Sequence, residues 1–385
     1  MKYFLFFIFI GIYTTTTGQI ASIPFIEDGL VYIPVTVPGE EETLQFVFDT
    51  GASTAVLDKS IATRLGIEAD TKQYATGASG SQEYEIAIHR TLEIADIRFD
   101  KLNLVLVDLQ ELSNRSGVRI DGIIGYDVIK EYITQFDFAA QKIHLHKNIN
   151  DINTQDFSLH PIQINSAIPL VTIDCTLKNG KTISGEFLFD SGANLTVLFN
   201  TPYAKKHQLK DKVDKTVVIT ARGLTSTSNS TIGTLAGATL LGYNFEELPI
   251  SISQATHGVS SQKNFAGILG AKIINRFDMI LDYKNKNIYL KPNARYKDAF
   301  EMPLVGFALR KVDNKIIIAD VIKDTEAAQN DITENDEVVS INGISHTTLK
   351  KYRDLLKKEG ETIRIIVKKA SGEQKEITLT LQRLI

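Results

Sequence analysis

Phe46-Val-Phe-Asp-Thr-Gly-Ala-Ser53 returns later in the chain as Phe187-Leu-Phe-Asp-Ser-Gly-Ala-Asn194. The offset, 190 − 49 = 141 residues, also carries Val56-Leu57 onto Val197-Leu198. It aligns two helix-like stretches as well, Ser60-Ile-Ala-Thr-Arg-Leu-Gly66 with Thr201-Pro-Tyr-Ala-Lys-Lys-His207. Further on, Asp121-Gly-Ile-Ile-Gly125 answers Ala266-Gly-Ile-Leu-Gly270, and Phe136-Asp-Phe-Ala-Ala-Gln-Lys-Ile-His-Leu145 answers Leu281-Asp-Tyr-Lys-Asn-Lys-Asn-Ile-Tyr-Leu290. There the offset is 270 − 125 = 145 residues, so the second copy has gained about four. A period this long means duplicated domains, because solenoid repeats are much shorter.

Each copy is rich in short alternating or β-branched runs, such as Leu30-Val-Tyr-Ile-Pro-Val-Thr-Val37 and Leu102-Asn-Leu-Val-Leu-Val107, separated by glycine and polar turns. These predict strands in barrel-like lobes over residues 19–150 and 151–295, with the polar, aperiodic Asn148–Asp156 segment as linker. After Pro292-Asn-Ala-Arg the duplication stops. Residues 300–385 order their elements as a small domain of mixed helices and strands. The expected class is mainly β, with two lobes followed by a small α+β domain.

Asp49 follows the apolar run Leu44–Phe48 and precedes Thr50-Gly51, and Asp190 stands likewise before Ser191-Gly192. A glycine there permits a tight turn, so each carboxylate is delivered at a strand end on a rigid element. One such string means little, since turns produce it readily. Two at equivalent places in a duplicated lobe suit a specific chemistry. Carboxylates about 3 Å apart cannot both ionise cheaply and share one proton. The ionised member then takes a proton from water, while the protonated member polarises a carbonyl and helps to protonate a leaving amine. The hydroxyls of Thr50 and Ser191 are placed to hydrogen-bond across the lobe junction. Such chemistry needs no cofactor and no metal.

These motifs, each followed by an apolar-apolar-glycine element, resemble the pepsin and retropepsin superfamily of aspartic peptidases over about residues 20 to 292. The resemblance implies duplicated β-barrel lobes with Asp49 and Asp190 as the catalytic dyad. It implies that Ile123-Ile124-Gly125 and Ile268-Leu269-Gly270 pack against the catalytic loop of their own lobe. Gly77, Ala78, Ser79 and Gly80 fall in the place of the substrate-covering flap, with Ala221-Arg-Gly-Leu-Thr225 as its counterpart. Ala52 and Ala193 stand where pepsin-like enzymes usually carry a hydroxyl and retropepsin-like enzymes carry alanine. The last domain resembles a PDZ domain of the kind appended to bacterial envelope proteases, through Glu326-Ala-Ala and Asn335-Asp-Glu-Val-Val-Ser-Ile-Asn-Gly343. The resemblance implies a carboxylate-binding loop at Val305, Gly306, Phe307 and Ala308, which departs from the usual Gly-Leu-Gly-Phe. Peptide or protein substrates, and a C-terminal peptide ligand at the PDZ-like domain, are the partners it implies.

The remaining signals are weaker. Met1–Tyr13 carries one lysine and then an apolar run too short for a comfortable membrane span, so residues 1–18 predict a secretory signal peptide and an exported protein, periplasmic or extracellular. Membrane association would follow only if that segment stayed uncleaved. Over the 385 residues the net charge is −4, and no cluster of lysine and arginine interleaves with aromatics, which excludes a nucleic-acid footprint. Cys175, the single cysteine, rules out an internal disulfide and reads as a buried structural thiol. His144 and His146 share one side of a strand, expected to be solvent-facing, with no third metal ligand in view. The Gly77–Gly80 loop lacks the lysine and helix start of a phosphate cradle. Lys350, Lys351, Lys357 and Lys358 predict the solvated side of an amphipathic helix. The alternative to an active endopeptidase is a catalytically silent peptide-binding or scaffolding protein.

Overall fold

A computed structural model describes residues 18–77, 80–223, 227–346 and 348–385. Nearly all of the leader segment, residues 1–17, lies outside them, as do Ala78 and Ser79 of the flap and Leu224 and Thr225 of its counterpart. The chain is mainly β and contains a β-barrel.

The duplication is visible in the strand order. In the first lobe the sheet runs Ile26–Asp28, Leu30–Val35, Leu44–Phe48, Gly122–Ile124, Val56–Asp58, Ile97–Val107, Ser81–Ile94, Thr71–Thr76. In the second it runs Gln163–Asn165, Ile168–Thr176, Thr182–Asp190, Gly267–Gly270, Val197–Phe199, Tyr243–Ser253, Thr227–Leu240, Val217–Arg222. Each step of one list has its mate in the other. Gly122–Ile124 and Gly267–Gly270 run parallel to the aspartate-bearing strands and are buried on both faces, which is why they read as unbroken apolar runs.

A third sheet joins the lobes. Three strands of the first half, Gln19–Pro24, Lys142–His146 and Ile133–Asp137, meet three of the second, Phe277–Asp282, Asn287–Pro292 and Ser158–Pro161. The junction pairs Thr134 with Leu281, Gln135 with Ile280 and Phe136 with Met279. Because 280 − 135 = 145, Gln135 faces its own repeat mate, and the pseudo-two-fold axis passes through that pair. One apolar core continues through both lobes, and Phe48 packs edge-on against Phe136 of the joining sheet at 5.0 Å.

Two local expectations change. His146 is only 5 % exposed, and His144 is partly buried, because their strand lies inside the joining sheet between Gln19–Pro24 and Ile133–Asp137. The pair does not face solvent, and no group of three potential metal ligands gathers among the described residues. The polar linker is not wholly solvated, since Ile149 and Ile152 pack with Ile133 and Ile280 beneath the sheet. The helix at Leu349 is amphipathic, with Lys350 and Lys351 solvated and Leu349 and Tyr352 buried, but it stops at Asp354, short of the solvated Lys357 and Lys358. Cys175 is buried, as its strand context suggested, and burial pushes its thiol up to about 12.

The last domain is a five-stranded antiparallel sheet in the order Phe307–Val312, Lys315–Val321, Glu337–Ile341, Thr362–Lys368, Gln374–Thr380, with short helices Glu326–Gln329 and Leu349–Asp354 and a core of its own.

At Gly267 a Cβ would stand 1.8 Å from the backbone oxygen of Leu198 on the neighbouring strand. Gly267→Ala is therefore expected to cost about 2–3 kcal/mol, because backbone rather than a flexible side chain must give way. Urea denaturation measures it; an unshifted midpoint would show that the strand pair relaxes freely.

Candidate active site

Leu44–Phe48 ends in Asp49, and Thr182–Asp190 ends in Asp190. Each carboxyl is fixed first by its own lobe. Asp49 N donates to Ile124 O (3.1 Å), and Tyr126 N donates to Ala52 O (2.8 Å), matched in the second lobe by Ala271 N to Ala193 O (2.8 Å). That approach leaves no room for a side chain on the glycine ending each apolar strand. A Cβ on Gly125 would lie 2.9 Å from Ala52 O, and one on Gly270 would lie 2.5 Å from Ala193 O. The apolar-apolar-glycine elements thus lie against the loop of their own lobe.

The lobes then lock to one another. Thr50 Oγ1 donates to Phe189 O (2.6 Å), and Ser191 Oγ donates to Phe48 O (2.8 Å). Each hydroxyl also accepts the other's backbone amide, Thr50 N to Ser191 Oγ and Ser191 N to Thr50 Oγ1, both at 3.0 Å. Both side chains are buried. Thr50 and Ser191 are repeat mates, so the axis that crosses the joining sheet at Gln135 and Ile280 emerges between these hydroxyls.

Asp49 and Asp190 come together at this crossing, hydrogen-bonded to each other. Gly51 N donates to Asp49 Oδ1 (2.7 Å), and Gly192 N donates to Asp190 Oδ1 (3.0 Å). The two glycines serve a purpose the sequence did not reveal. Neither has positive φ, so turn geometry does not require them. A Cβ on Gly51 would instead lie 2.4 Å from Asp190 Cγ, and one on Gly192 would lie 2.3 Å from Asp49 Cγ. Each aspartate occupies the space above the other lobe's glycine.

Burial pushes both carboxyls above the usual range. For Asp49, the amides of Gly51, Gly192 and Ala52 and the hydrogen bond from Asp190 pull against burial. For Asp190, the Asp49 charge and the shared hydrogen bond add to burial and drive it well up. Both directions fit a pair that holds one proton between its two carboxyls.

One group near the pair carried no legible signal. Tyr283 is buried, and its hydroxyl has no hydrogen-bond partner among the described residues. Burial first, then the charge of Asp49, raises its pKa, and its ring packs edge-on against Tyr126 at 5.5 Å. Across the cleft, Val259 N donates to Gly77 O (3.0 Å). The hairpin of Thr71–Thr76 and Ser81–Ile94 closes at Gly77 N to Gly80 O (2.8 Å), and Gly77 thus links the first lobe to the second. The hairpin of Val217–Arg222 and Thr227–Leu240 holds the corresponding place in the second lobe.

Residues 33–128 match the family model described as aspartyl protease, and residues 300–382 match that of the PDZ domain. The chain carries an aspartyl protease domain and a PDZ domain. The protease match spans Asp49, Thr50, Gly51 and the flap hairpin; Asp190 enters through the duplicated lobe. No curated protein matches the chain. In the PDZ domain, Val305 and Gly306 lead into the edge strand that holds Phe307 and Ala308. Gly306 O accepts from Ile322 N (2.8 Å), and a Cβ on Gly306 would strike Thr325 Oγ1 at 2.0 Å.

Two outcomes follow from this geometry. Thr50→Val leaves Phe189 O and Ser191 N buried without partners, with an expected loss of about 2–3 kcal/mol in urea denaturation. Asp190 has a folded pKa above its unfolded one, so its contribution is most favourable below the unfolded value and is lost as pH rises through the folded value. Asp190→Asn should accordingly be more stable than the wild type at pH 7, with the gap closing as pH falls below about 4, the ordinary carboxyl range. A gap independent of pH would show that the pair does not share a buried proton.

Proposed function

We propose that this chain is an exported aspartic endopeptidase that hydrolyses peptide bonds with a water molecule activated between Asp49 and Asp190, and that its PDZ domain recognises peptides or proteins. The observation that carries this reading is the crossed lock of Thr50 and Ser191, which holds two buried carboxyls in contact over glycines with no room for any other residue. An inert turn has no need of that arrangement.

In this reading Asp49 is the ionised member and accepts a proton from the attacking water. Asp190 donates its proton toward the scissile carbonyl oxygen, and the tetrahedral intermediate collapses as a proton passes to the leaving amine. The Gly51 and Gly192 amides hold the carboxyl oxygens in place meanwhile, so little reorganisation is needed during the reaction. Substrate entry requires the bond between Gly77 O and Val259 N to break, and reclosure of the hairpin shields the intermediate from bulk water. Export follows from the apolar leader, and a chain with one buried cysteine loses nothing in an oxidising compartment.

Cleavage of a mixture of unfolded peptides tests the reading. Asp49→Asn and Asp190→Asn should each lower kcat/KM at least about 10³-fold while leaving the fold intact. Retained turnover in either variant excludes the dyad, and an inactive but peptide-binding wild type would favour the silent scaffold.

The pH profile supplies a second test. Two protons bound block Asp49 on the acid side, and none bound removes the donor on the alkaline side, so kcat/KM should be bell-shaped. Ala52 and Ala193 offer no hydroxyl to the ionised carboxylate, which leaves the first ionisation high and places the optimum near about 4–6. Ala52→Ser should move the acid limb downward. An acid limb that stays in place would show that this position does not set the working pH.

A further inference from the structure

The first lobe touches the PDZ domain at a particular place. Strand Phe307–Val312 has a sheet neighbour on one side only, and helix Leu349–Asp354 packs beside it. Peptides join PDZ-type sheets along such an edge, as one more antiparallel strand. Here helix Gln110–Ser116 of the first lobe packs against the same strand.

The contacts give its direction. Glu111 Oε2 meets Arg310 Nη1 at 2.8 Å, and one turn later Arg115 Nη1 meets Asp320 Oδ2 at 2.8 Å, beside Ala308. The helix thus runs antiparallel to the strand, as a ligand would. Arg353 donates to Arg115 O (2.6 Å), Ser116 O (3.2 Å) and Leu309 O (3.4 Å), so one guanidinium ties groove helix, edge strand and lobe together. The chain then turns at Gly117, φ 81°, where a Cβ would stand 2.7 Å from Leu349 Cβ. Leu349 and Arg353 lie one turn apart on one face, and the lobe covers both.

Two carbonyl oxygens on a guanidinium are a weaker version of what a terminal carboxylate provides, and Glu111 adds an acidic side chain one turn away. We propose that helix Gln110–Ser116 occupies the peptide groove of the PDZ domain, so that a peptide with a free C-terminal carboxylate and an acidic side chain among its last residues binds only by displacing the lobe. The carboxylate takes over Arg353, and the acidic side chain takes over Arg310. The apparent affinity of the groove is then reduced by the fraction of molecules in which the lobe has let go. Reciprocally, a bound peptide detaches the PDZ domain from the lobe that carries Asp49. This inference rests on the peptide-recognition half of the function proposed above and is independent of the dyad.

The test uses the full chain with Asp190→Asn to prevent cleavage, alone and with either of two releasing changes. Glu111→Arg with Arg115→Glu keeps the helix's own ion pair with its signs exchanged and sets like charges against Arg310 and Asp320. Gly117→Asn tolerates the left-handed backbone but adds the Cβ that Leu349 excludes. The probe is a fluorescein-labelled decapeptide pool with glutamate third from a free C-terminus, set against the same pool amidated. Fluorescence anisotropy should show about tenfold tighter binding to both released proteins than to the parent, abolished by amidation. Equal binding to parent and released proteins overturns the proposal, as does a failure of the folded, released proteins to bind. Cleavage by the same variants without the Asp190 change reports the dyad separately, so lost catalysis with tightened binding would defeat the peptidase reading alone.

Discussion

Two side-chain hydroxyls set the relation between the halves of this molecule. Thr50 and Ser191 each give a proton to a carbonyl of the opposite lobe and each take one from the opposite amide, so four hydrogen bonds meet at the axis. A typical hydrogen bond contributes only about 1 kcal/mol net, but a buried group left without its partner costs more. The lock is therefore stiffer than its net energy suggests, since none of the four bonds can be lost without orphaning a buried partner. At the other end of the axis Gln135 and Ile280 pair in the joining sheet, and Phe48 on Phe136 connects that sheet to the site. The lobes are pinned at both ends, and the separation of the carboxyls is fixed between them.

A symmetric frame must still give two unlike carboxyls. The backbone around Asp49 repeats around Asp190, but the neighbours do not repeat. Asp127, whose Oδ2 accepts from Ala55 N at 3.1 Å, has Lys272 as its mate, and Tyr126 has Ala271. Tyr283 has Phe138 as its counterpart, so at this position a buried hydroxyl stands on one side of the axis only. Proton sharing alone would split the pair without preferring either member. The one-sided surroundings make the two halves of the site inequivalent.

What was legible in the sequence followed from repetition. Asp49 and Asp190 stood out because a second copy carried the same residues at the same place, and the lobes followed from the same comparison. The reason for Gly51 and Gly192 was not legible: a turn glycine and a glycine beneath the opposite carboxyl are written identically, and only the folded contact separates them. His146 misled because alternation reports which side a residue shares, not whether another strand lies beside its own. The docking of the PDZ domain was invisible for a related reason. Glu111, Arg115, Arg310 and Asp320 are ordinary charged residues, and nothing in their spacing tells which will meet across 199 or 205 residues of chain.

The connection between protease and PDZ domain limits how the two can part. Arg276 donates to Arg295 O (3.1 Å) and Tyr296 O (3.2 Å), and its guanidinium lies 3.9 Å from the Phe300 ring centroid. The chain is thus held against the second lobe as far as Phe300, while Leu304 already belongs to the PDZ core. On that side the domain meets the lobe through Arg383, paired with Glu247 and accepting from Lys215 Nζ at 2.7 Å through its carbonyl. These groups are exposed, and exposed pairs contribute little. The contact with the first lobe is the buried one, since Arg353 is largely shielded there and burial pulls its pKa down. A guanidinium so placed must keep acceptors, whether the carbonyls of the lobe or the carboxylate of a ligand. Exchange of one acceptor for the other is therefore cheaper than bare separation, and because Glu301 pairs with Lys357, Met302 packs on the PDZ core and Pro303 O accepts from Leu384 N, the chain passes from lobe to domain directly after Phe300.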